Sequence, residues 1–441
     1  MNRTERFATD PIPGLVMRTC TPLALSMLAQ GVDIVDDGLF VAHYGELAYR
    51  ASTVAYPVQV AVMAVAVGTS IGVNSVLSRA LGRRDGLGAR SVKANALFLA
   101  LAGAAVCLAA GLFSSSPIAR CLTRDEQTQS LVTSYLRIYL IGAGTLFLSV
   151  TFERFLQAHG LMRECMLVQV MGVVVNLALD SLLIFVLDLG LVGAGLGTVL
   201  GQVASGALAL GFYLRGVGMP IEVRPNAASC CDTYAVALPV ILTELSESIM
   251  MFVLGGVAGR TDPLFMVTFT TYYKLWVFVF LAMNGFGQGL IPLVGYNVGR
   301  GDADRVRAIA RYGARVVAAG MLVCTLVFVL LWRPMLWAFK ADATMYGYGA
   351  HVFRQMALGF VFCGVANTLA LCCTAIGDGR VLMVATYLRQ LIVPLPLFAL
   401  IMGTVGVSWA CLAFVAGDVC AALYAMNAWG RASRRVGRTT E

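Results

Sequence analysis

The sequence predicts an all-α integral membrane protein of twelve transmembrane helices in two pseudo-symmetric six-helix lobes. Three observations carry that reading: an apolar composition, hydrophobic runs that recur from end to end, and an internal repeat. The 441 residues are 59% hydrophobic and 13% charged, with a mean hydropathy of +0.80. Soluble domains run near half apolar and about a quarter charged. The runs are long enough to span roughly 30 Å of hydrocarbon at about 1.5 Å per residue, and short polar or glycine-rich connections separate them. A membrane barrel would instead show alternating segments of about ten residues, which the sequence lacks.

Helices are expected near 14–42, 51–78, 92–112, 130–156, 165–187, 191–214, 234–258, 264–294, 309–332, 350–375, 381–402 and 405–429. A polar stretch with Arg3 and Arg6 precedes the first, which is too long for a signal-peptide core and is followed by no small-residue cleavage site, so it is expected to stay attached. The second runs into a loop with Arg79, Arg83, Arg84, Arg90 and Lys93, and the eighth into one with Arg300, Arg305, Arg307, Arg311 and Arg315. The twelfth is followed by Arg431, Arg434, Arg435 and Arg438. With an even helix count these clusters share one side, and cytoplasmic loops collect Arg and Lys, so both termini are expected to be cytoplasmic. The net charge of +8 is then an orientation signal, with no nucleic-acid partner required.

Shifting the chain by 217 residues superimposes its halves over a long ungapped stretch. Pro22 meets Pro239, Tyr56 meets Tyr273, and Gly68 and Gly72 meet Gly285 and Gly289. Gly82, Arg83, Asp85 and Arg90 meet Gly299, Arg300, Asp302 and Arg307. The expected organisation is an amino-terminal lobe at 1–214, a cytoplasmic linker at 215–233 containing Arg224, Pro225 and Asn226, a carboxyl-terminal lobe at 234–430 and a basic cytoplasmic tail at 431–441. Six helices per half make the repeats parallel, a design of transporters in which two lobes rock about a site between them. An enzyme is not expected. The twelve cysteines have no metal-ligand spacing, the three histidines are scattered, and no nucleophile motif or phosphate-binding glycine loop appears. No cofactor or metal centre is therefore expected beyond a coupling ion.

An ionised carboxylate inside a membrane costs several kcal/mol unless it meets water, a cation or a partner, so intramembrane acids are candidates for function. Asp36 in the first helix, Glu153 in the fourth and Asp180 in the fifth are such acids, and Asn176 lies one turn before Asp180 on the same face. The repeat kept its frame at these positions without keeping the charges: Asp36, Asn176 and Asp180 meet Val253, Val393 and Leu397.

Four segments resemble the multidrug and toxic compound extrusion (MATE) family, and the likeness covers nearly the whole chain. They are P-L-A-L-S-M-L-A-Q-G-V-D-I-V-D-D in the first helix, S-R-A-L-G-R-R-D at the end of the second, N-L-A-L-D in the fifth and G-F-G-Q-G-L-I-P-L-V-G-Y-N-V-G-R-G-D at the end of the eighth. The resemblance implies a MATE-like fold with a large central cavity, in the bacterial cytoplasmic membrane and in contact with its lipid, as a monomer. It implies cation-coupled antiport, driven by Na+ or H+, of small amphiphilic or cationic organic compounds. The alternative is a flippase for a lipid-linked saccharide, from the same broader superfamily. By resemblance Asp36, Asn176, Asp180 and Thr198 form the amino-lobe cation site, the metal ligands if the ion is Na+, and Glu153 matches a second acid of some bacterial members. The hard oxygens suit Na+, while a desolvated carboxylate beside another acid equally suits a proton. Two open points remain: Asp33 or Asp37 can share the role of Asp36, and Arg154 beside Glu153 offers a purely structural pairing. Candidate cavity residues are Phe40, Tyr56, Met63, Tyr273, Lys274, Trp276, Glu244 and Glu247. For the aromatic and Met residues packing is the commoner role, and a snorkelling Lys274 in an interfacial aromatic belt is the plainer account of T-Y-Y-K-L-W.

Overall fold

The computed structural model describes residues 4–218, 227–338 and 345–436, with the backbone alone of 33–39, 42, 227–228, 257–261, 263, 338 and 407. Among the described residues there is no strand, and twelve helices are long and apolar enough to cross a membrane. In chain order they are α1 (Ile12–Tyr44), α2 (Glu46–Gly82), α3 (Gly86–Phe113), α4 (Glu126–Ala158), α5 (Met162–Val186), α6 (Gly190–Gly216), α7 (Ala227–Thr261), α8 (Pro263–Gly299), α9 (Ala303–Ala338), α10 (Met345–Ile376), α11 (Arg380–Thr404) and α12 (Ser408–Val436). Each expected helix is present, most of them longer than its apolar run. The excess lies in the polar ends, which hydropathy does not mark. A short helix at Ser115–Leu122 between α3 and α4 was not expected. The chain is a multi-pass membrane protein.

The basic motif shared by the halves is a device for stopping one helix and starting the next. After α2, Arg84 takes a left-handed φ of 57°, and after α8 Gly301, at the same repeat position, takes a φ of 77°. The amide of Asp85 then reaches back to the carbonyl of Ala80 at 3.1 Å, and that of Asp302 to Asn297 at 3.0 Å, which are the reverse bonds of a Schellman turn. The same two aspartates cap the following helices: Asp85 accepts from the Gly88 amide at 2.8 Å and Asp302 from the Arg305 amide at 3.0 Å. The repeat therefore kept these aspartates for their backbone bonds.

The chain folds as two compact units, and they do not part at the expected linker. One holds Met1–Arg6 and Leu25–Ile241; the other holds Phe7–Ala24 and Leu242–Glu441. Around the expected linker at 215–233, α6 runs to Gly216, α7 starts at Ala227, and residues 219–226, with Arg224, Pro225 and Asn226, lie outside the described residues. The first turns of α7 belong to the amino-terminal unit and the first turns of α1 to the carboxyl-terminal one. Glycines permit both attachments. In the amino-terminal unit a Cβ on Gly72 would stand 2.7 Å from the Thr233 carbonyl and 2.9 Å from Ala237 Cβ. In the carboxyl-terminal unit a Cβ on Gly289 would stand 2.8 Å from Cys20 Cα. Gly72 and Gly289 are repeat partners, and so are Ala237 and Cys20.

The interiors of the two units differ. In the amino-terminal unit α4 is the central post, with Leu136, Leu140 and Phe147 buried among small residues such as Ala51 and Ala55 of α2. The carboxyl-terminal unit is built on rings: Tyr272 of α8 lies 5.5 Å from Phe353 and 6.0 Å from Phe328, and Trp276 lies 4.4 Å from Phe360. Large apolar side chains such as Phe113, Val106, Leu322 and Leu330 face outward, as hydrocarbon requires.

Replacing Gly72 or Gly289 by Leu is expected to cost about 1–3 kcal/mol, since backbone cannot retreat from the added group. Thermal unfolding of the detergent-purified protein checks this; Gly255→Ala, whose Cβ meets nothing within 4 Å, should melt like the parent.

Candidate cation site

Asn176 and Asp180 come together on the buried face of α5, 6% and 1% exposed. The α-helical part of α5 ends at Asp180, and Ser181–Val186 continue as a π-helical segment. Such bulges recur at functional sites, because the extra residue re-aims the side chains around it. Opposite stands α6, which presents Gly193, Gly197, Gly201 and Ser205 at intervals of four. A Cβ on Gly201 would lie 3.0 Å from Asn176 Cβ, and one on Gly193 would lie 2.9 Å from the Leu183 carbonyl. At Gly197 a Cβ would collide with Asp180 Oδ1. The carboxylate thus lies directly on the helix backbone, in a place only glycine leaves open. Thr198 follows Gly197, and its hydroxyl donates to the Ala194 carbonyl at 3.0 Å. Its oxygen is therefore presented as an acceptor, the polarity a cation needs. The side chain of Asp36, with those of Asp33 and Asp37, lies outside the described residues.

Glu153 sits elsewhere, in a polar network joining α2, α4 and α5. Its Oε1 accepts from Gln157 Nε2 at 3.2 Å and from Gln169 Nε2. Arg154, beside Glu153 in sequence, donates to Ser70 Oγ at 3.0 Å and Gln157 Oε1 at 2.9 Å, and Asn74 donates to that same oxygen at 2.9 Å. Gln157 therefore links the acid to the base. Beyond it, fully buried Lys93 approaches His159 Nε2 at 3.3 Å while His159 Nδ1 donates to the Phe155 carbonyl at 2.7 Å. A carbonyl can only accept, so the proton is on Nδ1 and Nε2 offers Lys93 a lone pair. Burial first, and the Lys93 charge second, hold the His159 imidazole down to about 4.

The candidate cavity residues are spread out. Phe40 is half-buried, edge-on to Phe185 with ring centres 5.6 Å apart. Tyr56 and Met63 are exposed, two turns apart on α2. Lys274, Glu244 and Glu247 are exposed as well. Tyr273 and Trp276 line a cavity of about 40 Å³ inside the carboxyl-terminal unit. Among the described residues no three His, Cys, Asp or Glu side chains converge as a metal-binding group.

The family model MatE matches residues 22–182 and 239–400, two stretches that begin 217 residues apart. The chain belongs to the MatE family. A multidrug export protein, MepA, of Staphylococcus saprophyticus is 24% identical over 365 residues, covering 80% of this chain and 78% of that protein. MepA of a bovine Staphylococcus aureus strain is 21% identical over 423 residues, with 94% and 93% covered. A crystal structure of a MATE protein in complex with MaL6 superimposes with a TM-score of 0.93 at 21% identity, over 99% of this chain and all of that one. The MATE resemblance and fold expected from the sequence are thereby established.

One constellation in this MatE chain escaped the sequence reading. Arg389 of α11 and Asp418 of α12 form a largely buried pair, Nε to Oδ1 at 4.0 Å, in the wall of the cavity that Tyr273 and Trp276 also line. The signal was available: each is the one charged residue in its predicted apolar run.

The neutral state of His159 makes acid destabilising. Its native affinity for protons is depressed below the ordinary His value of 6.5, so the unfolded chain binds more protons and the contribution to stability, full above about 6.5, is lost as pH falls towards about 4. His159→Gln should flatten the fall in melting temperature across that window relative to the parent, by an amount on the order of 3 kcal/mol at its acid end. Melts at a series of pH values measure the difference.

Proposed function

We propose that this chain is a cation-coupled antiporter that exports small amphiphilic or cationic organic compounds by alternating access. The observation that carries the reading is Asp180, buried with Asn176 against the bare glycine face of α6 and followed at once by a π-helical segment. In low dielectric such a carboxylate is tolerated when a positive ion or a proton accompanies it. An exchangeable cation there couples one face of the membrane to the other. The multidrug export activity in the names of the staphylococcal relatives supports the substrate class.

In this reading Asp180, Asn176 and Thr198 supply hard oxygens to Na+, or Asp180 carries a proton, and Asp36 from α1 completes the set. Ion binding favours one arrangement of the units and substrate binding the other, so each displaces the other through differential affinity. Glu153 acts from its network on α4 and supports the helices that hold the site.

Reconstituted vesicles with Na+ and pH gradients imposed separately test this. Asp180→Asn should lower gradient-driven efflux of a cationic dye at least about tenfold, equivalent to about 1.4 kcal/mol, at unchanged protein incorporation. Undiminished efflux by the well-incorporated variant would refute the assignment.

A further inference from the structure

We propose that the carboxyl-terminal unit carries a proton-exchange site of its own, in which Asp418 takes up and releases the proton and Arg389 is its counter-ion. The pair is enclosed, with side chains 14% and 12% exposed, yet it is loosely made. At 4.0 Å the charged atoms are beyond hydrogen-bonding distance, unlike a structural Arg–carboxylate fork. Other groups hold the guanidinium: Arg389 Nη1 donates to Cys363 Sγ at 2.7 Å, and the charge lies 5.2 Å from the centre of the Phe280 ring. Arg389 therefore stays anchored whether or not Asp418 is ionised.

The space beside the pair admits a proton carrier. In the cavity of about 40 Å³ the polar groups of Asp418, Arg389, Gln390, Tyr272 and Tyr273 converge among Met and aromatic side chains, and a void of that size with such partners holds about two waters. The Tyr273 hydroxyl donates to the carboxylate of Glu247, an exposed residue of α7. Glu247, Tyr273, the cavity and Asp418 thus form a route from the surface of the unit to its interior, each step a group that donates or accepts a proton. The transfer is a simple one. A proton delivered from bulk water along this route forms an O–H bond on the Asp418 carboxylate, no other bond breaks, and the buried cluster gains one positive charge while Arg389 remains protonated. Besides Arg389, the titratable groups that interact with Asp418 are Cys363 of α10 and Tyr272 of α8, neither of which supplies a second acid.

Packing alone does not account for the pair. Under the 217-residue shift Arg389 corresponds to Gly172 and Asp418 to Gly201. In the amino-terminal unit those two glycines meet, a Cβ on Gly201 standing 3.2 Å from the Gly172 carbonyl. The fold is satisfied at this crossing by two hydrogens, and the carboxyl-terminal unit places an ion pair and a cavity there instead. Its backbone is adapted as well: Arg389 lies within a π-helical segment, Leu388–Ile392, and α10 breaks at 358–359, where a Cβ on Gly359 would collide with Asp418 Oδ2.

Proton uptake by the purified full-length protein tests the site without knowledge of any substrate. In weakly buffered detergent solution taken from about pH 8 to about pH 5, the parent should bind about one proton more than Asp418→Asn, and an infrared band of a neutral carboxylic acid should appear in the parent and be missing from the variant. The double variant Arg389→Gln with Asp418→Asn removes both charges together and guards against a variant that does not fold; it should lose the same proton and the same band. Glu247→Gln should slow the uptake and leave its amount unchanged. In an Asp180→Asn background the Asp418 proton should persist, which separates this site from the amino-terminal one. Equal proton counts and an unchanged band in the parent and a folded variant lacking Asp418 would overturn the proposal.

Discussion

The contact between the Asp180 carboxylate and the bare backbone of α6 at Gly197 is the constraint around which the amino-terminal unit is arranged. A charge inside an apolar bundle needs dipoles or a counter-ion within a few ångströms, and side chains of ordinary size hold helix backbones too far apart to provide them. Glycines at 193, 197 and 201 remove that spacing along one stripe of α6. The same stripe receives Asn176 one turn earlier on α5 and the π-helical turn that follows Asp180, so the site's polar groups and the irregular backbone share one seam. Elsewhere α4 is the unit's post, apolar at Leu136, Leu140 and Phe147 and polar at its end, where Glu153, Arg154 and Gln157 join α2 and α5.

Glycine serves a second purpose at the segments that each unit takes from the other half of the sequence. Gly72 seats the first turns of α7 and Gly289 seats the first turns of α1, through repeat-related contacts on Ala237 and Cys20. The units change over at residues 24–25 and 241–242, just after Pro22 and Pro239. A proline within a helix removes one backbone bond and permits a bend. Duplication thus preserved the mechanical parts, namely the glycine seats, the prolines and the Schellman turns with their aspartate caps. The ionisable parts diverged: one unit buries an acid against glycine, the other an acid beside an arginine in an aromatic cage.

The number, order and approximate span of the helices were legible because the need to bury every backbone polar group in hydrocarbon leaves a long apolar run for each crossing. The repeat was legible for the same reason that it matters, since glycines and prolines tolerate few replacements at close contacts. The exchange of the first turns of α1 and α7 was not legible, because hydropathy reports that a segment is buried without saying against what. Asn176 and Asp180 were readable from their spacing of four. Their glycine seat was present as a G-x-x-x-G-x-x-x-G run in α6, but it takes on meaning only once α6 is known to face α5. Arg389 and Asp418 are 29 positions apart on successive helices, and neither belongs to a recurring motif. Each lies as the lone charge in an apolar run, but only three-dimensional packing makes them a pair. Glu153 illustrates the reverse limit: the sequence marks it as an acid beside Arg154, but not that Gln157 and Gln169 donate to its carboxylate or that Arg154 reaches Ser70 and Gln157.

On the proposed function, an exchangeable cation accompanies the buried carboxylate of α5 and competes with the exported molecule. Equilibrium binding of a fluorescent cationic substrate to the purified protein, titrated with Na+ at fixed pH and with acid at fixed Na+, addresses it most directly. One of the two ions should weaken substrate binding in the parent, and this dependence should disappear when Asp180 is replaced by Asn. Substrate affinity indifferent to both ions, or an ion dependence that survives the loss of Asp180, would contradict it.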